Sequence, residues 1–398
     1  MSVNLDADSA SAASLETLTA DPYPIYAALR RDRPVAWMNA LDMWYVTRHA
    51  DVREVLLNTS DFVTGTDDSL VTATFGEQML TTEGDLHSHY RDTATNTAFM
   101  PTAVGARYRA RIDARVQRLL DDLAHAHEVD LRTAFAARLP IQVMFDVFGL
   151  PDADEAQFRA WYDHFEAAMA NHLHDPDVRA AAQRDVQAFR VHFQKRIHQV
   201  RQRPDDSLLA GWLRMPPERR MRYDEMCRNA SIIFFGGIST VEAIILNTLW
   251  LLFQHPDVLA RVQADTALAA AAVDEALRLR APVQSATRHA LVDTQVRGIP
   301  IAAGAIVNCM VASANRDASV FTEPDRFDID RTNQRQQLGF AIGPHHCLGR
   351  HLASAEAQAA VSALLERAVD LQLLDDAQPT GHEFHQPRSM RVRWGRMR

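Results

Sequence analysis

The sequence predicts a mainly α-helical fold with small β-sheets, built as a single domain. Three observations carry this. Apolar residues recur at helical spacing through most of the chain. Strand-like runs are short and confined to the regions 35–47 and 287–311, with an extended tail over 384–394. No repeat, low-complexity tract or linker-like composition shift divides the 398 residues. Hydrophobic residues make up 47% and charged residues 23%, an ordinary globular composition that rules out disordered, collagenous and coiled-coil chains. A chain this long buries a large core and needs no disulfide or structural metal for stability.

The elements follow in order. Residues 1–20 are polar, acidic and rich in Ser and Ala, and are expected to be disordered. They lack the basic start and apolar stretch of a signal peptide. The folded domain is expected over 21–398. Asp21-Pro-Tyr-Pro opens it, and a helix follows to Arg31. Strands are expected at 35–38 and 44–47. The stretch 62–84, with Thr, Asp, Gly and little periodicity, reads as a long loop, and such loops are often functional. Helical spacing runs through 107–126, 131–148, 154–170 and 177–201, with Pro151 and Pro204 as breakers. Residues 223–254 read as one helix nearly 50 Å long at 1.5 Å per residue. Its middle is apolar on most faces, so it should run through the interior. Gly236 and Gly237 sit there at about 1 kcal/mol each relative to Ala, which implies a need for space or a bend. Further helices are expected over 265–280, ended by Pro282, and over 348–369, with irregular chain at 315–340 between them.

Lys and Arg number 42 against 51 Asp and Glu, a net charge of −9, without the basic field of a nucleic-acid binder. The three cysteines, Cys227, Cys309 and Cys347, are too sparse for a disulfide framework and fit a reducing cytosol. No run reaches about 18 uninterrupted apolar residues, so no membrane span is predicted. A cytoplasmic protein with no membrane or nucleic-acid partner is expected.

The segment Phe340-Ala-Ile-Gly343-Pro-His345-His346-Cys347-Leu-Gly349 carries the strongest chemical signal. Its glycines permit positive φ and close approach of a bulky group. The cysteine precedes a helix, where the dipole favours thiolate and backbone N–H groups can tune the sulfur. A thiolate there suits a soft or redox metal. An inert buried cysteine, or a zinc site with His345 and His346, remains open on this segment alone. Glu275 and Arg278, at i and i+3, share one helix face. If buried, that pair needs a further partner to offset desolvation, and Arg326 is a candidate.

Together these motifs resemble the cytochrome P-450 family, haem-thiolate monooxygenases of the soluble bacterial type. The segment from Phe340 through Gly343 and Cys347 to Gly349 matches the family's Cys-loop signature. Glu275 and Arg278 match its Glu-x-x-Arg motif. Ser313-Ala-Asn-Arg-Asp317, Glu323-Pro-Asp-Arg-Phe-Asp328, His87-Ser-His-Tyr-Arg91 and Asp21-Pro-Tyr-Pro match further segments. The resemblance spans about Asp21 to Trp394. It implies the cytochrome P-450 fold, with haem b between the long central helix and the Cys-loop helix. Cys347 would be the axial thiolate, the metal ligand, and Phe340, Gly349 and Gly236 would border the cofactor. Arg91, Arg288, His345 and His87 would meet the haem propionates, with His346 a bystander. Glu275, Arg278 and Arg326 would form a structural network.

The family's central helix reads small-Gly-x-acid-Thr where this chain has Phe235-Gly236-Gly237-Ile238-Ser239-Thr240. The resemblance makes Gly237 and Thr240 catalytic, through the opening of the helix and proton delivery. Ser239 replaces the usual acid and cannot hold a titrating proton near pH 7. Three explanations compete: ordered water with Ser239 carries the protons, Glu242 at i+3 supplies the carboxyl, or the reaction is oxidative coupling or desaturation. The competing reading of Glu242 is a carboxylate paired with an arginine. Substrate would lie among the 62–80 loop, Ile232, Phe235, Gly236, Val283, Gln284, Ser285, Phe384, His385 and Gln386. That mostly uncharged set fits an apolar small molecule.

No Gly-x-Gly-x-x-Gly fingerprint or iron–sulfur cysteine set is present. Electrons from NAD(P)H would therefore arrive through a separate reductase and ferredoxin. Arg107, Arg109, Arg111 and Arg350 are docking candidates. The family often has Arg seven residues after the cysteine, where this chain has Ser354. The expected activity is insertion of one O2-derived oxygen into an apolar molecule by a monomeric enzyme. The alternatives are peroxide-driven oxidation, coupling or desaturation on the same fold, or a haem or zinc sensor without turnover.

Overall fold

The computed structural model describes residues 5–67, 69–92, 94–151 and 153–398. Two hydrophobic cores organise it. The larger surrounds the central helix; the smaller lies beneath a five-stranded sheet. That sheet is ordered Val35–Met38, Met43–Val46, Ile306–Cys309, Ala286–Ala290, Phe62–Val63. Only the pair Met43–Val46 with Ile306–Cys309 is parallel. Small two- and three-stranded sheets complete a mainly helical fold, as the periodicity predicts.

Helical spacing translates directly into burial. In the helix Pro176–Gln202, Val186, Phe189, Phe193, Ile197 and Val200 are buried, three and four residues apart, while charged residues occupy the remaining faces. Burying each such side chain fully is worth about 1.5–3 kcal/mol. Phe189 stacks on Phe193 at 4.4 Å between ring centres and also meets Phe158 and Phe234.

Three expectations need correction. The N-terminal segment is not disordered where described. Helices Ala7–Ser11 and Leu15–Ala20 form there, each with a side-chain N-cap, from Asp6 and Ser14. Ala10 and Leu18 join the smaller core, which holds the segment against the domain despite its polar composition. Residues 1–4 lie outside the described residues. The stretch 62–84 is not all loop: the helix Leu70–Phe75 forms in it, capped by Ser69. Six residues are too few to show a period in sequence. The helix expected at 107–126 starts with a π-helical turn, Val104–Tyr108, before Arg109–Asp122.

The central helix passes through the larger core as two segments, Tyr223–Gly236 and Ser239–Gln254. It is long and apolar enough to cross a membrane, but 83% of its most apolar window is buried inside the protein. It therefore serves as a core helix here.

Glu275 and Arg278, on the helix Ala269–Leu279, are both fully buried and paired at 2.7 Å. Arg278 also donates to the carbonyls of Asn315, Pro324 and Arg326. The second cation on Glu275 is Arg331, at 2.9 Å, not Arg326. The Arg326 side chain is exposed and pairs with Glu323. The meander of the 315–340 segment turns that side chain outward while its carbonyl faces in, a choice that spacing does not reveal. Glu275→Gln leaves two buried guanidinium groups undercompensated and should cost on the order of 3–5 kcal/mol in denaturant unfolding. Arg326→Ala should stay within about 0.5 kcal/mol of the parent.

Candidate active site

The segment 340–349 is a tight loop leading into the helix Arg350–Arg367. The Cys347 N–H donates to the Phe340 carbonyl at 2.9 Å, and the His346 N–H to Gly343 at 3.1 Å. Gly343 has φ of +79°, and a Cβ there would stand 3.0 Å from the Leu56 carbonyl oxygen, so glycine is required twice over. Cys347 lies deep in the protein yet keeps accessible surface, so it faces interior space. Burial pushes its thiol up, while the Gly349 N–H, Arg91 and Arg350 pull the other way. Burial outweighs them, so a cation at the sulfur would favour the thiolate. A Cβ on Gly349 would meet nothing within 4 Å.

Beside this loop stand the polar groups that sequence singled out. Arg91, half-buried, donates to the His346 carbonyl at 3.0 Å. Burial lowers its pKa, against an opposing pull from Cys347. His87 and His345 pack ring to ring at 4.4 Å. Burial lowers His87 to about 4, with His345 and Arg91 adding to the effect, so the ring is neutral near pH 7. His87 Nε2 and His345 Nδ1 are buried without hydrogen-bond partners. His345 Nε2 is held by Glu83 at 2.8 Å, and Glu83 also accepts from the Thr64 N–H and hydroxyl. Burial raises the Glu83 carboxyl, but His345 and Thr64 outweigh it and hold it below its ordinary value. Glu83 escaped the sequence reading; its only signal was the i,i+4 spacing to His87. Arg288, buried in its strand, spends one N–H on the Thr287 carbonyl and has no ion-pair partner among the described residues. The His346 ring contacts Arg350 at 3.1 Å, while its carbonyl accepts from Arg91.

On the central helix, Gly236 is exposed although the residues before it are buried, and a Cβ there would meet nothing within 4 Å. It opens onto interior space. Thr240, half-buried, donates its hydroxyl back to the Gly236 carbonyl at 2.7 Å. Gly237 serves differently: a Cβ would stand 2.8 Å from Met144 Sδ, so it permits close packing at the break. Ser239 departs from the expected water relay. It is 1% exposed and turned away, toward Tyr162 of the helix Glu155–Met169. The Tyr162 hydroxyl donates to Ser239 Oγ at 2.5 Å and accepts from the Ser239 N–H at 3.3 Å. Tyr162 thus satisfies a backbone donor where the helix breaks, and sequence gave no sign of it. Glu242 takes the paired reading: Arg132 and Arg159 hold it at 2.7 and 2.8 Å, and it is fully buried. Burial alone would lower Arg159, but Glu242 more than compensates and raises it.

The aromatic rings Phe75, Phe165, Phe235 and Phe384 form a chain of contacts next to Gly236, at 5.3–5.9 Å between centres. Of the other expected pocket residues, Val283 bridges to Phe384 in extended pairing and Ile232 is nearly buried. Gln284, His385 and Gln386 are wholly buried and present no accessible wall; Gln284 instead bonds the Ala281 carbonyl.

A family model, Cytochrome P450, matches residues 34–380. The chain belongs to the cytochrome P450 family. It is 32% identical over 370 residues to cytochrome P450 monooxygenase PikC of Streptomyces venezuelae, covering 90% of this chain and 86% of that one. It is 29% identical over 372 residues to vitamin D(3) 25-hydroxylase of Pseudonocardia autotrophica, covering 90% and 89%. Among solved structures, P450BioI in complex with an acyl carrier protein ligated to hexadec-9Z-enoic acid superposes with a TM-score of 0.88. The identity is 26%, over 96% of this chain and all of that one. CYP109E1 of Bacillus megaterium with testosterone gives 0.83 at 25% identity, over 94% and 99%. The chain is therefore an oxidoreductase with P450-type monooxygenase chemistry, the O2-dependent oxidation of an organic substrate, and the family implies haem b.

The residues of this P450 fit that cofactor. A planar dianion with a metal centre needs a soft ligand, open space on both faces and buried donors at its edge. Cys347, the empty positions at Gly236 and Gly349, the orphaned His87 Nε2 and His345 Nδ1, and the unpaired Arg288 meet those needs.

Two outcomes follow from this geometry. Gly236→Ala should raise unfolding stability by up to about 1 kcal/mol, because the helix gains and nothing clashes. The same change should weaken spectral binding of bulky distal ligands, whereas Gly237→Ala should lower stability through Met144. Separately, burial, with Arg280 second, lowers His385 from 6.5 to about 3. Between those values the unfolded chain binds a proton that the folded chain refuses, so stability falls as pH falls. His385→Gln should flatten the fall in urea midpoint from pH 6.5 downward.

Proposed function

We propose that this P450 inserts one oxygen atom from O2 into a lipophilic small molecule, using electrons from NAD(P)H carried by a separate ferredoxin-type protein. The observation that carries the reading is the Cys347 thiol facing interior space, beside buried donors that lack partners. Cys347 would bind the haem iron, and Arg91, Arg288, His87 and His345 the propionates. Glu83 holds His345 through Nε2, which leaves the buried, unpartnered Nδ1 for a propionate. Bound haem supplies the redox centre for O2 activation, and a thiolate ligand favours O–O cleavage.

The chain's own residues handle binding and protons. Phe75, Phe165, Phe235 and Phe384 present apolar surface, which favours hydrocarbon and excludes water. The lipid- and steroid-type ligands named for the similar structures support the same class. Thr240 can turn its hydroxyl from the Gly236 carbonyl toward the interior space. Tyr162, whose pKa is raised far by burial and further by Glu166, keeps its proton and donates a hydrogen bond to Ser239. Ser239 keeps its own proton, so the pair fixes the turn of the helix that carries Thr240. Glu242, neutralised by two arginines, is not a free donor.

For the electron carrier, Arg107 is exposed and free of carboxylate partners among the described residues. Arg109 and Arg111 are partly neutralised by Asp113 and Asp206, and Arg350 is engaged with His346. Arg107 is therefore the strongest docking candidate. The protein would act as a cytoplasmic monomer. A second reading, peroxide-driven oxidation, coupling or desaturation, is favoured by one observation: Ser239 stands where an acid is usual and is sealed against Tyr162.

Reduced protein with carbon monoxide should show a strongly red-shifted Soret band, and Cys347→Ala should abolish it. Absence of that band in haem-loaded parent protein overturns the thiolate assignment. Tyr162→Phe removes one hydrogen bond worth about 0.5–1.5 kcal/mol, so product formed per NADH should fall roughly two- to tenfold. Unchanged coupling, with turnover supported by peroxide alone, favours the second reading.

A further inference from the structure

We propose that His172, His382 and Glu383 form a binding site for a divalent transition-metal ion of the zinc type, separate from the Cys347 site. His172 lies in the connection between the helices Glu155–Met169 and Pro176–Gln202. His382 and Glu383 lie in the turn between the strands Pro379–Thr380 and Gln386–Pro387. Tertiary folding brings these two places together.

Three ligand atoms converge. His172 Nε2 is 2.9 Å and His382 Nδ1 3.4 Å from Glu383 Oε1, and all three lie within 4.8 Å of one another. A tetrahedral ion with bonds of about 2.0 Å holds its ligand atoms roughly 3.3 Å apart, so small adjustments suffice. The same three atoms are buried without a hydrogen-bond partner. The rings approach the carboxylate closely, but their N–H directions miss it. Buried polar atoms left this way cost free energy unless something binds them.

The outer side of the cluster is already built. His382 Nε2 meets the buried Tyr45 hydroxyl at 2.6 Å, and the two rings are nearly parallel. Donation from Nε2–H to that oxygen leaves the Nδ1 lone pair facing Glu383. The Ser285 hydroxyl donates to the other Glu383 oxygen at 3.4 Å, and the Gln284 N–H holds the Glu383 carbonyl at 3.1 Å. Orienting contacts of this kind accompany metal-binding histidines and carboxylates. Two imidazoles and one carboxylate suit zinc better than calcium or magnesium, which prefer all-oxygen sets. A cavity of about 1000 Å3 is lined by all three residues and offers an entry path and room for a water as fourth ligand. An ion here clamps the helix connection to the turn whose next residue, Phe384, packs on Phe235 of the central helix.

The test uses the haem-loaded full-length protein, stripped with a chelator and titrated with Zn2+ against a chromophoric competitor. Bound zinc and haem iron are counted in the same samples by mass spectrometry. The expected result is one zinc per chain in the parent and at least tenfold weaker binding in His172→Ala, His382→Ala and Glu383→Gln, with the haem spectrum retained. Zinc should also slow proteolysis within residues 170–175 in the parent alone. With 17 histidines in the chain, the variants decide where any zinc sits. If His382→Ala does not fold, because it also loses the Tyr45 contact, the other two variants decide. No saturable site in the parent, or equal binding by parent and variants, overturns the proposal.

Discussion

The Cys347 loop is held in place by a carboxylate that never meets it. Glu275 is fully buried and compensated by Arg278 and Arg331. Arg278 spends its remaining N–H groups on carbonyls of the irregular 315–340 segment, including that of Asn315. The Asn315 side chain in turn accepts from the Leu338 N–H at 2.6 Å, and the Leu338 carbonyl from Ala341. A segment with little regular structure thus acquires a defined path from one buried ion pair. Desolvating these charges is expensive, and only the full set of hydrogen bonds offsets it. The position of the cysteine depends on that satisfaction.

The site side of the molecule shows the opposite condition. Around Cys347 the polar groups are buried but incompletely satisfied: His87 Nε2, His345 Nδ1 and most of the Arg288 guanidinium. Burial lowers His87 and Arg288 and raises Cys347. Structural charges are closed by partners, whereas those at the site wait for a ligand. Glu242 illustrates the rule from the other direction. It sits on the central helix near Thr240, but two arginines close it, and it belongs with the structural charges.

The break in the central helix joins the two halves of the argument. Gly236 leaves space, Gly237 accepts Met144, and the backbone donor exposed at Ser239 is bonded by Tyr162 from another helix. The break is therefore supported from outside the helix as well as permitted by its glycines. The aromatic chain from Phe75 to Phe384 extends from the same place to the turn carrying His382 and Glu383. Changes at that turn have a direct packing route to the helix.

Much was legible in sequence where the signal is local. Helical periodicity, proline breakers and the order of Cys347, Glu275–Arg278 and Gly236–Thr240 determined the fold class, the family and the candidate ligand. These are properties of residue type and spacing, and they survive without coordinates. What only the tertiary structure decided concerns partners distant in the chain: Arg331 in place of Arg326, Glu83 on His345, Tyr162 on Ser239, two arginines on Glu242, and His172 beside Glu383. It also decided order at residues 5–20, where the buried apolar side chains of Ala10, Ala13 and Leu18 outweigh a polar composition. The physical reason is common to all of them. A buried polar group must find a partner, but the identity of that partner is set by the packing of whole elements, which no local spacing encodes.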